Sequence, residues 1–283
     1  MLNARETVMK WVFFVSALAS ILAIALICLF LFVNGVPAMA EIGVFSFLLG
    51  KNWMPSGGIY GILPMIMGSI YVTAGALAVG VPIGILCAVY LACFCPKHIY
   101  RFLRPMVELL AGIPSVIYGF FGIVVVVPLV RDIFKVQGLT MLTASLLLGV
   151  MILPTIITVG ESAIRAVPGP YFEGALALGA SKERGVFFVL VPAAKSGIMA
   201  GVVLGIGRAI GETMAVIMVA GNQPRMPAGI LKGVRTMTAN IVMEMGYAAD
   251  LHRGALIATG VVLFVFILLI NLLVSLLRTR EKP

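Results

Sequence analysis

The chain has 283 residues, 61% of them hydrophobic and only 11% charged, and its mean hydropathy is +1.15. Soluble domains are about a quarter charged, and at this size too little surface is hidden on folding to conceal so many apolar side chains, so an ordinary soluble fold is excluded and lipid is the fitting solvent. The net charge of +9 lies between apolar runs, with no basic stripe interleaved with aromatics, which marks membrane topology and not nucleic-acid binding.

A spanning helix needs about 20 apolar residues. Met1 to Val33 has the look of a signal peptide, but its apolar run from Trp11 to Val33 exceeds the about 7–15 residues of such a segment. No clean small-residue cleavage site precedes a polar chain. It reads as a retained signal anchor spanning 11–33. The uncharged run 52–96 follows, broken at its start by Pro55, Gly57, Gly58, Gly61 and Pro64. One span over 67–94 with an interfacial lead-in fits it, and two spans with a tight turn fit as well. Trp53 and Tyr60 in the preceding loop are residues typical of a membrane interface.

A third span is expected over 109–130. It opens with E-L-L-A-G-I-P-S-V-I-Y-G-F-F-G, Glu108 to Gly122, in which Pro114 removes one helix hydrogen bond and Gly112, Gly119 and Gly122 admit close neighbours. Ser115 and Tyr118 add polar groups to this kinked helix, which suits the wall of a moving gate and equally a packing role. Further spans are expected over 140–160, 196–220 and 254–277. With the N-terminus inside, twelve basic residues fall on the inner side and seven on the outer, and Arg208 is left inside the fifth span, which accounts for all 20. Six spans with both ends inside therefore satisfy the positive-inside rule.

The four cysteines, Cys28, Cys87, Cys93 and Cys95, lie in or at the end of apolar runs and read as apolar filler. Cys93, Cys95 and His98 do not have the spacing of a metal or redox site. His98 and His252 are the only histidines, and no H-E-x-x-H or G-x-S-x-G string is present, so nothing points to an intramembrane enzyme.

Two places carry the functional signal. The fifth span contains G-R-A-I-G-E-T, with Arg208 and Glu212 four apart and so expected on one helix face. Counting about 1.5 Å per residue from Ser196, Arg208 sits about 18 Å deep, where an ionised side chain is costly unless paired or facing a wet cavity. A guanidinium there suits an oxyanion, to which it donates two parallel hydrogen bonds. Glu212 could offset that charge, or take the proton of a protonated phosphate and so select against sulfate. A structural ion pair stays open as the other reading. Glu161 and Arg165 repeat the spacing at the inner end of the fourth span, where snorkelling and helix stabilisation are expected first and a pathway role second.

The other place is the inner loop after Ile164. Pro168, Gly169 and Pro170 end the arriving helix. Pro170 and Glu173 suit the start of a short helix, Gly179 its end, and Ser181 the cap of another. Small residues at Gly174, Ala175, Gly179 and Ala180 leave room for a partner's surface. The spacing of Glu173, Gly174 and Ala175, then Gly179, then Val189, Leu190, Val191 and Pro192 resembles the E-A-A loop of ABC importer permeases, departing mildly at Gly174, Val189 and Val191. The strings A-G-I-P-S-V-I-Y-G-F-F-G, L-G-V-M-I-L-P-T-I, E-G-A-L-A-L-G-A-S and G-R-A-I-G-E-T-M-A-V-I-M-V-A-G-N, within 60–277, are similar to the phosphate-specific members of that family, of the PstC type more than the PstA type.

The resemblance implies an all-α polytopic bundle of about six transmembrane helices, a type I ABC importer permease in the bacterial cytoplasmic membrane. Its divisions would be an N-terminal helix and first outer loop (1–60), a transport core (61–277) with a coupling helix at about 168–186, and a cytoplasmic tail (278–283). It implies as partners a PstA-like second permease, a PstB-like ATPase dimer on the coupling loop, and a PstS-like phosphate-binding protein. ATP and Mg would be used by the ATPase, since this chain has no G-x-x-x-x-G-K-[ST] loop and binds no cofactor of its own. A permease for another oxyanion, and a secondary transporter or channel, are the alternatives.

Overall fold

The computed structural model describes residues 2–279, with side chains over 6–272. The first helix, α1 (Leu2–Ile42), is longer than the expected 11–33. Pro37 does not stop it, and the chain turns only at Gly43, whose φ of +93° suits glycine. α1 leans on the last helix, α14 (Asp250–Thr279), where Phe32 meets Phe264 edge to face at 6.1 Å. Otherwise it turns apolar side chains such as Trp11, Phe13 and Ile21 outward.

After α2 (Val44–Leu49), β1 (Trp53–Met54) and β2 (Ile59–Tyr60) form a two-stranded antiparallel hairpin. This is the lead-in anticipated from its prolines and glycines. α3 (Leu63–Val89) passes through a π-helical turn, Tyr90–Phe94, making one span of Leu63–Phe94.

The third span differs from expectation. Lys97–Gly112 forms a separate helix, α4, with no buried residue. Ile113 and Pro114 are then extended, with ψ of 126° and 141°. The span itself is Ser115–Phe134, made of α5 (Ser115–Phe121), a π-helical turn at Gly122–Val126, and α6 (Val127–Phe134). Pro114 thus ends one helix instead of kinking another, because α4 carries Lys97, Arg101, Arg104 and Glu108 and cannot enter the bilayer as a lipid-facing helix.

α7 (Met141–Arg165) is capped by Thr140, whose side chain accepts from the Thr143 amide. The loop beyond it folds as read: α8 (Gly169–Ala177), Gly179 at φ +87°, and α9 (Lys182–Gly185) capped by Ser181. A third π-helical turn (Val186–Leu190) and α10 (Val191–Ala193) lead, across a 67° bend, into α11 (Lys195–Gly211). The fifth span is therefore not one helix over 196–220. It stops at Gly211 and restarts as α12 (Met214–Val219), with Glu212 extended at ψ 132°. α13 (Met237–Glu244) precedes α14. Among the described residues five helices are long and apolar enough to span a membrane, and six with the bent segment counted. The tail at 278–283 lies outside the described residues except for the backbone of 278 and 279.

α3, α7 and α11 form the centre. A methyl group at Gly84 of α3 would come 2.8 Å from Ile156 of α7, and one at Gly205 of α11 would come 3.3 Å from the same side chain. Small residues let backbones approach closely where lipid offers no hydrophobic drive to association. The molecule has two polar ends. One carries α8, α4 and the start of α11. The other joins the hairpin, the 220–236 segment and α13, with the Met141 and Leu142 amides donating to Lys232 O at 2.9 Å and Ile230 O at 2.8 Å.

Candidate functional site

The break at Gly211–Thr213 leaves backbone groups that a continuous helix would have paired, and local side chains take them up. Glu212 Oε1 accepts from the Ala215 amide at 3.2 Å, Thr213 Oγ1 donates to Gly211 O at 3.2 Å, and Thr238 Oγ1 of α13 donates to Glu212 O at 3.0 Å. Non-helical backbone at membrane depth is tolerated where it is enclosed by protein or lines a wet cavity. Arg208 and Glu212 consequently do not share a helix face, and they form no ion pair. Among the described residues nothing gives the half-buried Arg208 guanidinium a hydrogen bond or a counter-charge. α5 packs against α12 just past the break, where a methyl at Gly119 would come 3.1 Å from Ala215 Cα. Tyr118 is buried and donates to Leu110 O at 2.8 Å, while Ser115 stands half-buried at the start of the same helix.

At the α8 end, Glu161 is fully enclosed, not snorkelling as expected, because three donors surround it. Tyr100 Oη lies at 2.8 Å, Arg104 Nη1 at 2.7 Å and Arg165 Nε at 2.8 Å. Arg165 also donates to Leu91 O at 2.9 Å and stacks over the Tyr100 ring. The sequence showed the Glu161–Arg165 pair but not Tyr100 or Arg104, which reach it from a helix about sixty positions earlier.

Beyond these, α8 and the turn that follows it present Glu173, Gly174 and Gly179 to open surroundings, with Ala175 and Ala180 half-buried. A methyl at Gly174 or Gly179 would meet nothing within 4 Å. Tyr171, Leu176 and Leu178 are exposed beside them, Leu178 by 92%.

The opposite end holds a cluster that sequence reading missed. Glu244 accepts from Arg235 Nη1 at 2.6 Å and Trp53 Nε1 at 2.9 Å and pairs with His252 Nε2 at 2.9 Å. Arg235 also reaches Asn240 Oδ1 and Asn222 O, both at 3.0 Å, and Asn222 Oδ1 and Asn240 Nδ2 are buried without a hydrogen bond. No periodicity links Trp53 to a carboxylate 191 positions on; Trp53 and Tyr60 in the first loop were the one available hint. No group of three metal-ligating side chains occurs among the described residues.

This architecture matches known proteins. Residues 80–283 fit the family model described as binding-protein-dependent transport system inner membrane component. The chain belongs to this family. It is 39% identical over 215 residues to the probable ABC transporter permease protein YqgH of Bacillus subtilis, covering 75% of this chain and 69% of that one. It is 35% identical to the phosphate transport system permease protein PstC of Mesorhizobium japonicum, over 70% of this chain and 67% of the relative. The Haemophilus influenzae PstC is 33% identical, over 75% and 74% of the two chains. Among solved structures, a MetNI methionine ABC transporter chain superposes with TM-score 0.65 at 19% identity, covering 82% of this chain and all of that one. A chain of a bacterial importer of the polysaccharide alginate gives TM-score 0.62 at 15% identity over the full length of both. The fold is that of an ABC importer permease, and the chain is a multi-pass membrane permease subunit.

Proposed function

We propose that this subunit carries inorganic phosphate across the bacterial cytoplasmic membrane as half of an ATP-driven importer, with both termini and α8 on the cytoplasmic side. The observation that carries the substrate class is Arg208, a permanent cation that has no protein counter-charge among the described residues, beside a break in a membrane-depth helix. Such a group is costly there unless an anion or water attends it, and its planar fork fits a tetrahedral oxyanion. Similarity to relatives named phosphate permeases supports phosphate over other oxyanions. Arg208, Glu212, Ser115 and Tyr118 line the pathway in this reading, and the enclosed Glu161 with its exposed partner Arg165 comes second to them. Glu212 takes a proton from protonated phosphate.

α8 is the docking segment for a PstB-like ATPase dimer, which uses ATP and Mg. Its exposed Leu178, Leu176 and Tyr171 and the open space at Gly174 and Gly179 fit a partner's surface. A PstA-like permease completes the pathway, and a PstS-like binding protein delivers phosphate at the other end.

Uptake of radiolabelled phosphate by the complete complex in proteoliposomes tests this. Unlabelled sulfate, molybdate and phosphonate in excess should compete poorly. Arg208→Lys and Glu212→Gln should each lower uptake about tenfold or more with assembly intact, since each removes an interaction with a charged group in low dielectric. Unchanged uptake in both variants, or sulfate competing as well as phosphate, refutes the reading.

A further inference from the structure

A continuous set of contacts runs from α8 to the helix break at Gly211–Thr213, and one buried carboxylate stands at its centre. α8 begins just after Arg165, the last residue of α7. Its Phe172 packs against Gly185 and joins the apolar cluster of Val89, Ile164, Val186, Ala194 and Ile198. Displacing α8 therefore loads the last turns of α7. There Glu161 holds Arg165 of its own helix and Tyr100 and Arg104 of α4, all at 2.7–2.8 Å. Arg165 meanwhile grips Leu91 O in the π-helical turn that ends α3.

α4 has no buried residue, so this polar grip is the firm attachment it has. Its far end is tied to α5, because Tyr118 Oη donates to Leu110 O at 2.8 Å across the extended Ile113–Pro114 link. Beside Tyr118, Gly119 abuts α12 just past the helix break, where a methyl would come 3.1 Å from Ala215 Cα, and the Ala215 amide donates to Glu212 Oε1.

We propose that Glu161 is the transmission joint of the permease, a positioning residue that fixes α4, and through it Tyr118 and the helix break before α12, to the position of α8. The proposal rests on the reading of α8 as the ATPase docking segment. A wholly buried carboxylate with three donors is rigid, since each donor lost leaves a charge short of partners. It therefore moves α4 and α7 as one body. A polar cluster serving packing alone would have no such directional role.

The test uses the whole complex with its ATPase in lipid nanodiscs. Spin labels are placed at Leu109→Cys on α4 and Leu269→Cys on α14, both exposed positions, in a background without the native cysteines. In the parent, ATP binding should change the distance between the labels. Arg104→Leu removes one donor, whose side chain is 26% exposed, and leaves Tyr100 and Arg165 on Glu161. Tyr100→Phe removes another. Each should abolish the distance change and cut phosphate imported per ATP hydrolysed by about fivefold or more, the lower range of allosteric coupling, with hydrolysis near the parent rate.

A distance change that persists in both variants overturns the joint. So does a parent whose α4 label ignores nucleotide while the ATPase is bound. Hydrolysis, label response and thermal stability all falling together would show plain packing and overturn it too. Failure of the ATPase to bind α8 at all is a separate result, which removes the reading of α8 and the joint with it. The label readout needs no solute, so an error about phosphate leaves it intact.

Discussion

Two arginines in apolar surroundings meet opposite fates. Arg235 is enclosed with Glu244, Asn240 and the Asn222 carbonyl, whereas Arg208 has no protein counter-charge among the described residues. The first arrangement is structural, because Glu244 also gathers Trp53 and His252 and so ties the hairpin to α13 and α14. Glu244→Ala would strand the Arg235 charge, at a cost of about 3 kcal/mol. A Glu244→Gln variant, whose one amide oxygen still accepts from Arg235 while its NH2 replaces the oxygen that meets Trp53 and His252, should lose less, and thermal unfolding of the purified subunit in detergent distinguishes them. Arg208 was legible in the sequence because a lone charge interrupts an apolar run. Its relation to Glu212 was not, because G-E-T has no proline to announce a break, and the bond that holds the break open comes from Thr238, 26 positions later.

Among the elements, span number followed from hydropathy, and span boundaries depended on packing. The expected third span, 109–130, took in the last residues of 97–112, yet Tyr100 and Arg104 bind Glu161 and hold that stretch apart as α4. The three π-helical turns, at Tyr90–Phe94, Gly122–Val126 and Val186–Leu190, leave no sequence mark of that kind either. The inner loop was readable because its signals are local: Pro168, Gly179 and Ser181 act on their own neighbours. Glycine has two distinct uses here. Gly84 lets α3 approach α7, while Gly174 faces open space on α8. Gly84→Leu should lower the unfolding temperature of the subunit, with overpacking worth about 1–3 kcal/mol. Gly174→Leu should leave that temperature unchanged and reduce the ATPase recovered with the subunit on affinity purification.

For the molecule as a whole, the apolar girdle and the two polar ends set the frame for transport. Exposed side chains such as Phe120, Phe121 and Val124 on the third span and Ile21 on α1 suit lipid or the surface of a partner. The central claim is that the α8 end faces the cytoplasm, where a motor subunit can grip it, and that the hairpin end faces outward. The direct test is cysteine labelling in intact cells with a membrane-impermeant maleimide, in a variant lacking Cys28, Cys87, Cys93 and Cys95. Ser56→Cys in the exposed turn of the hairpin should react in intact cells, and Gly174→Cys on α8 only after permeabilisation. Reaction of Gly174→Cys in intact cells, with Ser56→Cys protected, would contradict the account.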